Sequence, residues 1–373
     1  MSSLKSPPIS VTPSSYIKEV LIRPVVVPMS VPLHTATGAI EQAALVLIDI
    51  STSEGISGRS YVFAFAPHIQ RAVVALLEGM GQMIIGDAVS PFEVEQKLRA
   101  KHLLVGMHNV VLFAQSGIDM ALWDAHAQSL QQPLVQVLGG EVKKVPAYNS
   151  KGLGIMPAAE AAAEAEQLLS EGFNAVKMRL GRGSAKQDLD AVRAVKRAIG
   201  PQATLMCDFN QALSVNESIR RGRMLDEEGG LYWIEEPTRA EDYAGTARIA
   251  QTLDTPVSIG ENFMGCEQMA DALKAGCCNY VMPDVQRIGG VSGWMRAASL
   301  AQVAGVEMST HLFPEFSCHL LGVTPTAHWL EFVDWAAPVL EQPAIVEDGM
   351  LAIPDRPGAG MVWDEQAVKR YLV

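Results

Sequence analysis

ATLMCDFN (203–210), GLYWIEEP (230–237) and TPVSIGEN (255–262) are three successive strand-like runs, each with an acidic residue at its end: Asp208, Glu235 and Glu261. An ionised carboxylate in such apolar surroundings is costly unless something positive neutralises it. One such residue reads as an ion pair. Three in series suggest a shared divalent cation, and carboxylate oxygens that leave room for water and substrate suit Mg²⁺.

The same rhythm continues on both sides. VPAYNS (145–150), NAVKMRL (174–180), NYVMPD (279–284), VEMSTH (306–311) and AHWLEF (327–332) are further strand-like runs. Helical patterns such as Ala158–Ser170, Asp188–Ile199, Val215–Glu228 and Cys266–Ala275 lie between them. Strand and helix alternating at intervals of roughly 20–30 residues predict repeated βα units. Eight of them predict an α/β fold of the modified (β/α)8-type, TIM-like barrel class. An open doubly wound sheet is the weaker alternative, since no GxGxxG follows the first strand and precedes a helix.

Before Val145 the texture changes. Ile17–Val27, Ala43–Ile50 and Ser57–Phe65 read as strands, and Pro67–Met80, Pro91–Leu98 and Val110–Gln128 as helices. Strands first and helices after describe an α+β cap. The expected organisation is a flexible tail over 1–16, rich in Ser and Pro, and an N-terminal α+β cap domain over 17–140. The barrel follows over 141–330, and 331–373 form the end of the last strand and a C-terminal strap returning toward the cap.

Composition narrows the partners. The chain has 373 residues, 49% of them hydrophobic, and a net charge of −12 with scattered Lys and Arg. That balance argues against nucleic acid or an anionic membrane as partner. No run is long and apolar enough for a spanning helix or a signal-peptide centre. Five cysteines without zinc spacing, including the adjacent Cys277 and Cys278, favour a reduced, cytoplasmic setting.

In a parallel barrel the C-terminal strand ends share one face, where active sites sit. Lys177 and Arg179 are two apart, so both point to the same side of their strand, as do Asp208 and Asn210. Asp284, His311 and Glu331 end or nearly end three later runs. Such a set suits removal of a proton α to a carboxylate, a carbon acid so weak that the developing charge needs a metal and a cation beside it. His311 would be the base, steadied by Asp284, and Lys177 would neutralise the carboxylate. Glu331, held protonated in a dry site, would donate to the enolic oxygen. Glu236 points the other way along its strand and reads as a structural acid. His319 and His328 lack an acidic partner and read as structural.

At these residues the chain resembles the mandelate racemase/muconate lactonizing branch of the enolase superfamily. The likeness runs through VPLHTATG and VLIDISTSEGISGRSYVFAF in the first part, then CDFNQALSV, WIEEPT, PVSIGEN, MPDVQRIGGVSGW, STHLFPE and TPTAHWLE. It implies metal ligands at Asp208, Glu235 and Glu261, an Asp–His dyad at Asp284 and His311, and a carboxylate-contacting acid at Glu331. It further implies a carboxylate-binding Lys177, with Asn210 and Ser150 near the substrate. The loop over the pocket matches Met29–Ile40, and specificity positions fall near Leu33, Thr37, Ile40, Phe63, Phe65, Leu312 and Val333. A homo-oligomer is implied by the same likeness.

One position departs. Where the family carries K-x-K, with the second lysine as the base on the other substrate face, this strand reads K-x-R. Arginine stays protonated, with a pKa above roughly 12, and is a poor proton acceptor. The resemblance implies Mg²⁺-dependent racemisation or epimerisation of a small 2-hydroxy acid, aromatic or apolar from the pocket positions. Arg179 keeps open a one-base acid-sugar dehydratase that uses His311. A non-catalytic barrel that binds metal and ligand is the third alternative.

Overall fold

The computed structural model describes residues 15–36 and 38–373. Most of the expected tail, and Thr37, therefore lie outside the described residues.

Strands β1 (Ile17–Thr35), β2 (Gly38–Thr52) and β3 (Ser57–Phe63) form an antiparallel sheet in that order. β1 runs well beyond the Val27 expected as its end. Its pairing with β2 shifts register between Pro28 and Leu33, then resumes at Leu33↔Ile40 and Thr35↔Gly38. Pro28 and Pro32 have no N–H to give a ladder, so the hairpin bulges there and continues. The segment expected as a loop is thus a hairpin arm.

Helices α1 (Pro67–Ile84), α2 (Pro91–Lys101) and α3 (Asn109–Ser129) follow. Helix α3 is buried on nearly every side. It packs against β3 on one flank and against helices Val285–Ile288 and Gly290–Ala304 on another, which explains its all-round apolar character. Gly58 permits the β3 contact: a Cβ there would lie 2.1 Å from the Ala121 carbonyl oxygen. Any side chain at 58 would push the helix away.

Eight parallel strands follow: β4 (Lys144–Asn149), β5 (Ala175–Arg179), β6 (Thr204–Asp208), β7 (Ile234–Glu235), β8 (Val257–Ile259), β9 (Tyr280–Val281), β10 (Glu307–Met308) and β11 (Leu330–Phe332). Neighbours pair in chain order from β4 to β10, and β11 returns to β4. The Met308↔Ala327 bridge and the Thr310 N–H to Trp329 O bond, 2.9 Å, close the ring. Helices lie between the strands, including Pro314–Val323, whose sequence is only weakly helical in pattern. Inside, Tyr148, Ala175, Met206 and Trp233 form a buried layer, with the Tyr148 and Trp233 rings 5.5 Å apart. The barrel is therefore a packed core whose chemistry is confined to the strand ends.

After β11 the chain crosses to the first sheet. Trp363 Nε1 donates to Asp49 at 2.9 Å, Arg23 pairs with Glu365 at 2.6 Å, and Leu372 bridges Val25. Among the described residues no helix is long and apolar enough to cross a membrane.

Candidate active site

Asp208 closes β6, Glu235 closes β7, and Glu261 stands two residues beyond β8. One carboxylate oxygen from each lies within 4.8 Å of the others. Lys177, buried on β5, places Nζ 2.8 Å from Glu235, 2.8 Å from Glu331 and 3.7 Å from Asp208. Burial alone would pull this ammonium down, but the carboxylates carry it well above the usual lysine range. One ammonium thus faces three acids. Burial, opposed by Lys177 and aided by Asp208, pushes Glu235 up to about 8. Asp208 is raised by burial against the pull of Lys177. Crowded acids with this unmet need for positive charge, all hard oxygen donors, fit a divalent cation.

Asn210 anchors Asp208: its backbone N–H and its amide both donate to that carboxylate, at 2.7 and 2.8 Å. Its Oδ1 accepts nothing among the described residues.

Asp284 and His311 meet across a β-bridge, with His311 Nδ1 2.7 Å from Asp284 Oδ2. The other Asp284 oxygen caps the short helix Val285–Ile288, accepting from the N–H groups of Gln286 and Arg287. The carboxylate is thus held from two sides, and His311 Nε2 is directed inward, 3.4 Å from Glu261 and 3.8 Å from Glu331. Burial would lower the imidazole, but Glu261, Glu331 and Asp284 together push it up to about 9.

Glu331 differs from its expected state. Burial would raise it, yet the Lys177 ammonium, His311 and Ser150, whose hydroxyl donates at 2.6 Å, hold it at about 2. The Leu312 N–H adds a bond at 3.2 Å. Glu331 here is an ionised acceptor. The expectation of a protonated donor fails because a cation stands at contact distance.

Arg179 also takes a place that the sequence did not suggest. Its guanidinium donates to the carbonyls of Ser150 and Gly152, both at 2.8 Å, and to Ser150 Oγ at 2.9 Å. It pins the loop after β4.

These groups open onto a cavity of about 200 Å³. Leu33, Ile40, Phe65 and Leu312 line it as the sequence suggested. Phe63 stands behind the wall, its ring 4.4 Å from Phe65 and 4.8 Å from Trp335. Val333 is buried and does not line the cavity. Trp335, Gln211 and Glu236 do line it, and none was expected there. Strand alternation alone would turn Glu236 away from the site. Its φ of +40° ends the strand's periodicity at Glu235, and the Pro237 that follows was the signal for such a break. Its Oε1 accepts from Asn262 at 2.6 Å, while Oε2 has no partner among the described residues. His319 and His328 lie elsewhere, bonded to Val135 and Ala359, and to Tyr232 and Ser309.

Residues 160–367 match the enolase C-terminal domain-like family, and residues 17–139 match the mandelate racemase / muconate lactonizing enzyme N-terminal domain. A 3,6-anhydro-alpha-L-galactonate cycloisomerase of Streptomyces coelicolor is 30% identical, over 93% of this chain and 97% of its own. An L-talarate/galactarate dehydratase of Salmonella typhimurium is 29% identical, over 91% of this chain and 87% of its own. A Bradyrhizobium enolase, crystallised with magnesium and mandelic acid, superposes with a TM-score of 0.92 at 37% identity, covering 96% of this chain and 99% of that one.

Proposed function

Because the chain belongs to the mandelate racemase/muconate lactonizing enzyme family of the enolase superfamily, we propose that it is a Mg²⁺-dependent enzyme in which His311 removes the α-proton of a small 2-hydroxy carboxylate. Asp208, Glu235 and Glu261 would hold the cation, which when bound supplies Lewis-acid stabilisation of negative charge developing on the substrate carboxylate.

The protein's own groups do the rest. Lys177, already paired with Glu235 and Glu331, offers its charge to the substrate carboxylate. His311 Nε2 takes the proton from the α-carbon, while Asp284 holds the Nδ1–H and steadies the imidazolium. The C–H electron pair moves into the carboxylate. Glu331, anionic between Lys177, Ser150 and Leu312, fixes those three around the reacting carbon.

The observation that carries the outcome is the commitment of Arg179 to the loop carbonyls. Arg179 lines the cavity, but its side chain is permanently protonated and held by those carbonyls, so the second face has no proton acceptor at that position. Elimination needs none. The electron pair returns to expel a β-hydroxyl, which leaves as water with the proton from His311 Nε2, and the resulting enol becomes a 2-keto acid. Glu236 and Asn210, polar residues of the cavity lining, suit a hydroxyl-bearing substrate.

The second reading is racemisation of an apolar or aromatic 2-hydroxy acid. The wall of Leu33, Ile40, Phe65, Leu312 and Trp335 favours it, as does the mandelic acid bound by the Bradyrhizobium relative. Two assays separate them. An acid-sugar library with Mg²⁺, screened for 2-keto acids, gives product under the first reading, and a blank screen removes it. Each mandelate enantiomer in D₂O, followed by NMR, shows inversion under the second. If no substrate exchanges its α-proton, the enolisation reading itself is lost.

A further inference from the structure

We propose that Gln286 and Arg287 are positioning residues that register the cavity's aromatic wall, carried by the first sheet, against the Asp284–His311 pair of the barrel, and so set the preference for an apolar substrate tail. The proposal rests on the second reading above, in which this cavity takes an apolar or aromatic 2-hydroxy acid, and not on the elimination reading.

The argument begins at Asp284. Its Oδ2 meets His311, and its Oδ1 accepts from the backbone N–H of Gln286 at 2.7 Å and of Arg287 at 3.1 Å. The turn that fixes the imidazole therefore also fixes where these two side chains start. Both are buried, 1% and 6% exposed. The Gln286 amide takes both backbone groups of Phe63, accepting its N–H at 2.7 Å and donating to its carbonyl at 3.1 Å. Phe63 ends β3, the edge strand of its sheet, so one amide satisfies an otherwise open edge.

Arg287 reaches two residues further. Its guanidinium lies 4.9 Å from the centre of the Phe65 ring and 6.0 Å from that of Phe113. The same group donates to the Glu261 carbonyl at 3.0 Å and to Asn262 Oδ1, and Asn262 holds Glu236. Phe65 has φ +60°, a left-handed conformation rare for an aromatic residue, which persists where surroundings hold it. Its ring lines the cavity and packs at a tilt of 47° on Phe63, which packs at the same tilt on Trp335. One four-residue helix thus touches the imidazole's partner, the aromatic wall and the loop of Glu261.

The test uses Arg287→Lys, which keeps the charge but loses the planar face over Phe65. Binding is measured by calorimetry with Mg²⁺ present, in a His311→Asn background so that no turnover is required, for mandelate and for lactate, which has the same head without the ring. The expected result is a fall in the mandelate-to-lactate affinity ratio on the order of tenfold, the size of a desolvated cation–π contact, beyond any loss common to both ligands through the Glu261 contact. In a Phe65→Leu background the same substitution should leave that ratio unchanged, as a double-mutant cycle reads. Gln286→Met should show the same selective loss. Equal losses for both ligands, no loss for either, or no mandelate binding by the parent would overturn the proposal. Selective loss in a protein that never exchanges an α-proton would leave it standing while removing the enolisation reading.

Discussion

Arg179 and Ser150 meet twice: the guanidinium donates to the Ser150 carbonyl at 2.8 Å and to its hydroxyl at 2.9 Å, and that hydroxyl donates onward to Glu331 at 2.6 Å. The residue that departs from the family pattern thus supports the site through its loop. An ammonium cannot span the three acceptors that the planar fork reaches. Arg179→Lys should therefore cost roughly 1.5–3 kcal/mol of stability, as for lost bonds to a charged group, read by urea unfolding. It should also introduce a group able to lose its proton on the second face, so that the enantiomer left untouched by the wild type begins to exchange in D₂O. An unchanged exchange pattern would show that Arg179 is not what limits the second face.

Lys177 is the only ammonium among the described residues that pairs with Asp208, Glu235 and Glu331. In the chelated protein, Lys177→Met leaves those acids buried without their cation. Breaking such a cluster costs about 3–5 kcal/mol. Mg²⁺ should then recover more stability in the variant than in the wild type, because more uncompensated charge awaits it. Thermal unfolding with and without Mg²⁺ measures both increments. Equal increments would mean that Lys177 and the cation do not share these acids.

His311 offers a titration. In the metal-free protein its pKa is raised from 6.5 to about 9, burial being outweighed by Glu261, Glu331 and Asp284. A raised histidine stabilises the fold fully below the unfolded value near 6.5, and that contribution is lost as pH rises through about 9. Once Mg²⁺ engages Glu261, the first of the raising neighbours is spent, and the imidazole should titrate lower. NMR of the ring through a pH series, with chelator and then with Mg²⁺, is the check. A titration that does not move would separate His311 from the cation site.

Much of this site was legible because its logic is periodic. Asp208 and Glu235 close strands, Lys177 and Arg179 share one side of β5, and parallel topology brings them to one face with Asp284 and His311. What was not legible breaks periodicity or depends on a distance. Glu236 enters the cavity through a positive φ, and the β1–β2 hairpin outruns its prolines by a bulge. Trp335 comes to the wall from the turn after β11, its ring tilted against Phe63 of the first sheet. The charge of Glu331 is set by 2.8 Å to Lys177, a distance that no spacing in sequence states.

His319 lies away from this chemistry and predicts an acid limit. Its Nδ1 accepts from the Val135 N–H at 3.2 Å, so the ring proton is on Nε2, which donates to the Ala359 carbonyl at 3.3 Å. The ring is buried, and burial lowers its pKa from 6.5 to about 4 against the smaller pull of the Ala359 bond. The unfolded chain takes up this proton first as pH falls. The stabilising contribution is therefore whole above pH 6.5 and is lost progressively toward pH 4, by an amount on the order of 3 kcal/mol. Glutamine at 319 can keep the donor to Ala359 but cannot titrate. His319→Gln should start less stable at pH 7 and lose less than the wild type between pH 6.5 and 4, and urea midpoints across that range give the comparison. Parallel curves would mean that the acid sensitivity arises at other groups, because every other titrating residue is common to the two proteins.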